Sequence, residues 1–134
     1  MSQLVKGTFE AKLQLQSFEN ADAEAKLDRM SIDKTITGDL VATTVGRMLT
    51  AGTETKGSAA YVAVERVTGA LHGKKGSFAL YHTGVMNRGS PALSVLVVPD
   101  SGTGELAGLE GEFKIIIESG KHRYEFSYRV SAAP

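Results

Sequence analysis

Cysteine is missing from all 134 residues, which excludes disulfides, thiolate metal sites and cysteine nucleophiles. A surplus of charge of either sign is missing too. Fifteen basic residues balance fifteen acidic ones, so no overall field draws the chain onto nucleic acid or an anionic membrane. No apolar run approaches the roughly twenty residues that span a bilayer. The opening MSQLVKGTFEAKL has no basic n-region, no continuous apolar h-region and no small-residue cleavage site. These absences set the expectation of a cytoplasmic protein with neither nucleic acid nor membrane as a partner. The length, with no break in composition, predicts one domain over 1–134.

Reaction signatures are equally scarce. The run Asp100-Ser101-Gly102-Thr103-Gly104 follows an apolar strand, but it has neither the lysine and spacing of a P-loop nor the helix-opening spacing of a dinucleotide fingerprint. It reads as a turn. His72, His82 and His122 lie on three separate segments without i, i+4 spacing, so no metal site is expected. No G-x-S-x-G elbow occurs, and no motif calls for a cofactor.

What the chain does have is period-two alternation. Residues 4–15 set Val5, Gly7, Phe9, Ala11 and Leu13 against Lys6, Thr8, Glu10 and Lys12, the pattern of a half-buried strand. Residues 17–25 (SFENADAEA) read as a polar loop with one helical turn through 21–25. Alternation resumes over 26–37, with Met30, Ile32 and Ile36 on one face and Lys34 among them. Residues 40–50 are partly apolar on both faces, as in a strand covered on its outer side or lying at a subunit contact.

The centre of the chain is 57–89, two strands joined by a turn over His72-Gly73-Lys74-Lys75-Gly76. In 77–88 the bulky set is Phe78, Leu80, His82, Gly84 and Met86, which points His82 inward. In 61–70 the two faces are close to balanced. If Tyr61, Ala63, Glu65 and Val67 face inward, so does a carboxylate. A bulge at Gly69 or Gly84 would turn Arg66 inward in its place.

Residues 93–98 form a nearly continuous apolar run ended by Pro99, read as a strand buried on both faces, and 105–109 as one helical turn. Phe113, Ile115 and Ile117 mark a seventh strand. His122, Tyr124, Phe126, Tyr128 and Val130 mark an eighth, with 131–134 a fraying tail. Eight strands, turn-rich spacing and fifteen glycines predict an all-β fold. The form expected is an antiparallel eight-stranded barrel with little helix, favoured over a two-sheet sandwich because closure removes exposed edges.

On the inward parity the barrel interior collects Lys34, Tyr61, Glu65, His82, Ser94, Tyr124 and Tyr128 among Met48, Phe78, Met86 and Phe126, with His122 at a rim. Polar groups in an apolar pocket are the makings of a small-molecule site. Glu65 and His82 are the candidate acid/base or orienting groups. Lys34, Tyr61, Ser94 and Tyr124 are the candidate polar contacts to a substrate, and Phe78, Met48 and Met86 the lining that shapes it. The plainer reading of the same residues is a structural Lys34–Glu65 ion pair beside a satisfied core histidine. A buried ion pair contributes little net stability, which tilts the balance toward function.

The stretches RMSIDKTITGDL, AYVAVERVTGALHGKKGSFALYHTGVM, VVPDSGTGELAGLEG and KHRYEF resemble an uncharacterised bacterial family, a domain of unknown function whose members form an allene oxide cyclase-like barrel. The resemblance runs from Lys6 to Tyr128. It implies an eight-stranded barrel with an interior cavity and a small homo-oligomer, dimer or trimer, and it implies no known reaction. Cyclases of related barrel folds steer reactive apolar substrates by cavity shape, an activity that carries over by analogy of fold alone. Two functions are therefore expected of the chain. One is a cyclase or isomerase acting on a small apolar substrate with a polar group, and the other a non-catalytic carrier barrel. A completely filled barrel ranks below both.

Overall fold

The computed structural model describes residues 3–15 and 25–131. Eight strands follow in chain order: β1 (Gln3–Leu15), β2 (Leu27–Gly38), β3 (Leu40–Gly52), β4 (Ala59–Leu71), β5 (Lys74–Asn87), β6 (Ser90–Val97), β7 (Leu109–Glu118) and β8 (Lys121–Val130). Each pairs antiparallel with the next and β8 returns to β1, so the sheet closes on itself as a barrel. The sandwich alternative falls with that closure. A 3-10 turn at Gly104–Leu106 is shorter than the helical turn expected over 105–109, because Leu109 already opens β7. No described helix is long and apolar enough to cross a membrane. The loop expected over 17–25 and the fraying expected of 131–134 lie, but for residues 25 and 131, outside the described residues.

Two local expectations are corrected. The β4–β5 turn is two residues, His72-Gly73, both at positive φ (49° and 79°), the tight hairpin geometry that matches strand twist. Lys74 and Lys75 are therefore already in the ladder, opposite Leu71 and Ala70. Strand β6 is buried on one face only: Val95 and Val97 are buried, while Ser94 is exposed. Its apolar run conceals ordinary alternation.

The barrel wall is uneven. Seven of its seams are continuous ladders, but β6 meets β7 at the single pair Leu96↔Glu112. Beside the stretch Pro91 to Leu93 the two strands run without ladder bonds among the described residues.

The interior has two ends. Around the β4–β5 turn it is packed solid: Phe78 stacks on Phe126 with centroids 5.8 Å apart, Phe113 stacks on Tyr124 at 5.0 Å, and the 3-10 turn delivers Leu106 into the same cluster. Tyr124 also ties this end together. Its hydroxyl donates to the Thr37 carbonyl at 2.8 Å and accepts from the Leu40 N–H at 3.1 Å, holding the β2–β3 turn against β8. The opposite end, where β4 begins and β5 finishes, is open.

Removing that hydroxyl in Tyr124→Phe leaves the buried Leu40 N–H without an acceptor. The expected loss is about 1–3 kcal/mol, read as a lower urea midpoint with an unchanged m-value.

Candidate functional site

Strand parity decides which polar side chains enter the barrel. The β4–β5 ladder is unbroken from Ala59↔Met86 to Leu71↔Lys74, so no bulge intervenes at Gly69 or Gly84. Glu65 is consequently buried and Arg66 exposed. Because Ala63 pairs with His82 and Glu65 with Leu80, Glu65 and His82 are diagonal neighbours on the inner face. Lys34 arrives from β2, across β3. The β3 residue beside Glu65 is Gly46, and a Cβ there would lie 2.7 Å from that of Glu65. The missing side chain lets the lysine and the carboxylate meet over the strand between them.

They meet on one atom. Lys34 Nζ donates to Glu65 Oε1 at 2.9 Å, and His82 Nε2 donates to the same oxygen at 2.8 Å. The side chains of Lys34 and Glu65 are 2% and 1% exposed. The second carboxylate oxygen, Oε2, is buried without a partner among the described residues. Lys34 Nζ also stands 4.9 Å from the centre of the Phe9 ring and 5.8 Å from that of Phe113, where the ring faces favour a cation. The backbone of Lys34 is held as well, its N–H donating to Thr44 Oγ1 at 3.0 Å.

Burial pushes the Glu65 carboxyl up, but the hydrogen bond from His82 and the charge of Lys34 outweigh it and hold the group at about 2. Glu65 therefore stays ionised at neutral pH and does not exchange protons there. It fixes the imidazole through the hydrogen bond it accepts. An ionised carboxylate accepts only, so Nε2 of His82 carries the proton and, in the neutral ring, the lone pair falls on Nδ1. Nδ1 has no partner among the described residues.

Lys34 and His82 border a cavity of about 430 Å³. Phe9, Ile32 and Ile115 form its walls, and Tyr61 completes the polar end. Tyr61 lies flat across β5 because its ladder partner is Gly84, where a Cβ would come within 2.1 Å of the ring. Burial first, and the Glu65 charge second, raise the Tyr61 hydroxyl above its ordinary value, so it remains a donor. Toward solvent the lining turns apolar, through Leu13, Met86, Leu93 and Ile117, all exposed. His122 sits at this mouth against Phe9, ring centres 5.2 Å apart, at the rim expected of it.

Of the expected site residues, Lys34, Glu65 and His82 are in contact, and Lys34, His82, Tyr61 and Met86 line the cavity. Five do not line it, Glu65 among them. Phe78 and Tyr124 belong to the packed end, the latter with its hydroxyl consumed by backbone groups. Met48 is half-buried opposite Met30 and Ala63, beyond the lining. Ser94 is exposed because Val95 and Val97 take the inward positions of β6. The lining that residue type alone did not single out is Phe9, Ile32, Ile115 and Ile117. Their inward parity is legible in the alternation, but which end of the barrel they face depends on register. Among the described residues no three His, Asp or Glu side chains converge on a point that could hold a metal.

The family model described as a protein of unknown function, DUF3224, matches residues 5–128. A crystal structure of a protein with unknown function from the DUF3224 family of Shewanella oneidensis MR-1 is 46% identical, covers 99% of this chain and 100% of its own, and superposes with a TM-score of 0.93. None of the curated proteins matches the chain.

Glu65→Gln leaves the Lys34 ammonium buried without its countercharge, and about 3–5 kcal/mol of stability is expected to be lost at pH 7. The folded-state value of Glu65 is depressed, so its contribution is complete above its ordinary value of 4.5 and is lost as pH falls through about 2. The gap between the urea midpoints of the two proteins, measured from pH 7 down to pH 2.5, should narrow steadily below about pH 4.5. A constant gap would show that the carboxylate does not titrate as described.

Proposed function

Because the chain belongs to the DUF3224 family of proteins of unknown function, we propose from its site that the barrel binds a small, mainly apolar molecule bearing one polar group and moves a proton on it, as a cyclase or isomerase does. One observation carries this reading: an imidazole oriented by a buried carboxylate borders an apolar cavity, its second nitrogen unengaged among the described residues. The cavity volume is that of a small-molecule site. A proton taken by Nδ1 gives an imidazolium already paired with Glu65, so the protonated state is stabilised where it forms. His82 is thus the catalytic base and acid, and Glu65 positions it. The analogy with allene oxide cyclase-like barrels lends the architecture and no more.

A carrier without catalysis is the second reading, favoured by the fact that Lys34 and His82 both end on one Glu65 oxygen, as they would in a purely structural cluster. Either protein would have reason to self-associate. Val45 and Leu49 of β3, Val62 and Val64 of β4, and Val85 of β5 are exposed on adjoining strands, an apolar outer face that supports a homo-oligomer, dimer or trimer.

The generic probe 5-nitrobenzisoxazole separates the readings. A base removes its C3 proton, the N–O bond breaks, and coloured 2-cyano-4-nitrophenolate is released. Wild type should accelerate the opening about 10²-fold or more over buffer. His82→Ala should abolish the gain while the probe still raises the melting temperature. Equal rates in wild type and variant with binding retained would leave the carrier. Absence of binding by the probe, and of any bound metabolite in native mass spectrometry, would remove the ligand reading altogether.

A further inference from the structure

Building on that proton-transfer reading, we infer that the cavity takes an uncharged, enolisable ketone, its carbonyl oxygen on Lys34 Nζ and its α-hydrogen toward Nδ1 of His82, with the apolar remainder directed to the mouth. Two features of the site lead there. The first is spatial. An ammonium has three donors; Lys34 gives one to Glu65, borders the cavity, and has no further hydrogen-bond acceptor among the described residues. His82 donates to the same carboxylate oxygen through Nε2 from the β5 side. Both side chains border the cavity, so an ammonium with spare N–H groups and an imidazole whose Nδ1 carries the lone pair share one end of it. A ketone offers one group to each, its carbonyl oxygen to the ammonium and its α-hydrogen to the imidazole.

The second feature is charge. Lys34 and Glu65 cancel, and with a neutral imidazole the buried cluster has no net charge. When an α C–H bond breaks, its electron pair becomes the new C=C bond, the carbonyl π pair moves to oxygen as an enolate facing Lys34, and the proton stays on Nδ1. Imidazolium and enolate then cancel as ammonium and carboxylate do, so the total remains zero throughout. Where the ketone carries a β,γ C=C bond, returning the proton to the γ carbon of the dienolate gives the conjugated isomer, with no oxidant, reductant or second substrate. A carboxylate ligand would bring an uncompensated charge into this enclosed end, where desolvation weighs against it. The exposed apolar ring of Leu13, Leu93 and Ile117 fits a hydrocarbon body lying outward from the polar group.

The probe is 2-tetralone in D2O, followed by loss of its α-proton NMR signals. Wild type should speed the exchange about 10²-fold over buffer, and 2-naphthoate, similar in size but anionic, should bind at least about tenfold more weakly. Lys34→Met alone would strand the carboxylate, so the informative variant is Lys34→Met with Glu65→Gln. In it, exchange of the ketone should fall at least about tenfold further than opening of 5-nitrobenzisoxazole, which has no carbonyl for Lys34 to hold. Equal losses of the two reactions, or binding of 2-naphthoate as tight as that of 2-tetralone, would overturn the inference. So would a ketone that exchanges no faster than in buffer while benzisoxazole opening still requires His82. Loss of both reactions in wild type would overturn the proton-transfer reading beneath it as well.

Discussion

A carboxylate withdrawn from water is tolerated only where opposite charge and hydrogen-bond donors replace its hydration, and Glu65 obtains both at a single oxygen. Lys34 supplies the charge and His82 the second donor, each from a different strand. The consequence extends past the three residues. The lysine reaches the acid only because Gly46 leaves the intervening strand bare, and the acid faces inward only because the β4–β5 register has no bulge. Register, glycine placement and ion pairing support one another, the mutual consistency by which a sequence specifies one structure.

That arrangement sits at a boundary within the barrel. On one side lies the buried aromatic cluster of Phe78, Phe113, Tyr124 and Phe126. On the other lies open volume. Packing of the first kind supplies stability through apolar burial, and this lets the second end remain unfilled and hold charged groups that contribute little to folding. The ion pair is thus better understood through what it orients than through what it stabilises.

Much of this was legible in the sequence, and the exceptions share a cause. Alternation identified eight strands, the inward set of β8 and the candidacy of Lys34, Glu65 and His82, because side-chain parity is a local property of a strand. Position along the barrel axis is not local. Phe78 and Tyr124 have the correct parity and the wrong end, while Phe9 and Ile115 have the same parity and the right end; only the ladder registers tell them apart. Ser94 failed for another reason. A short run in which both faces are apolar carries no parity signal of its own, so its direction waits on the burial of Val95 and Val97. The turn at His72-Gly73 shows the same limit, since Lys74 and Lys75 look like loop residues until pairing draws them into β5.

The join between β6 and β7 gives the cavity a mechanical property. Leu93 and Ile115 line it from opposite sides of a seam that has one ladder pair, Leu96↔Glu112, near the packed end. Elsewhere around the barrel, widening the wall would break backbone hydrogen bonds. Here, beside Pro91 to Leu93, there is no ladder bond to break among the described residues, and the cost is smaller. The barrel wall is therefore held least firmly along one line and by ladders along the other seven, while the Lys34–Glu65–His82 cluster is anchored on continuous ladders.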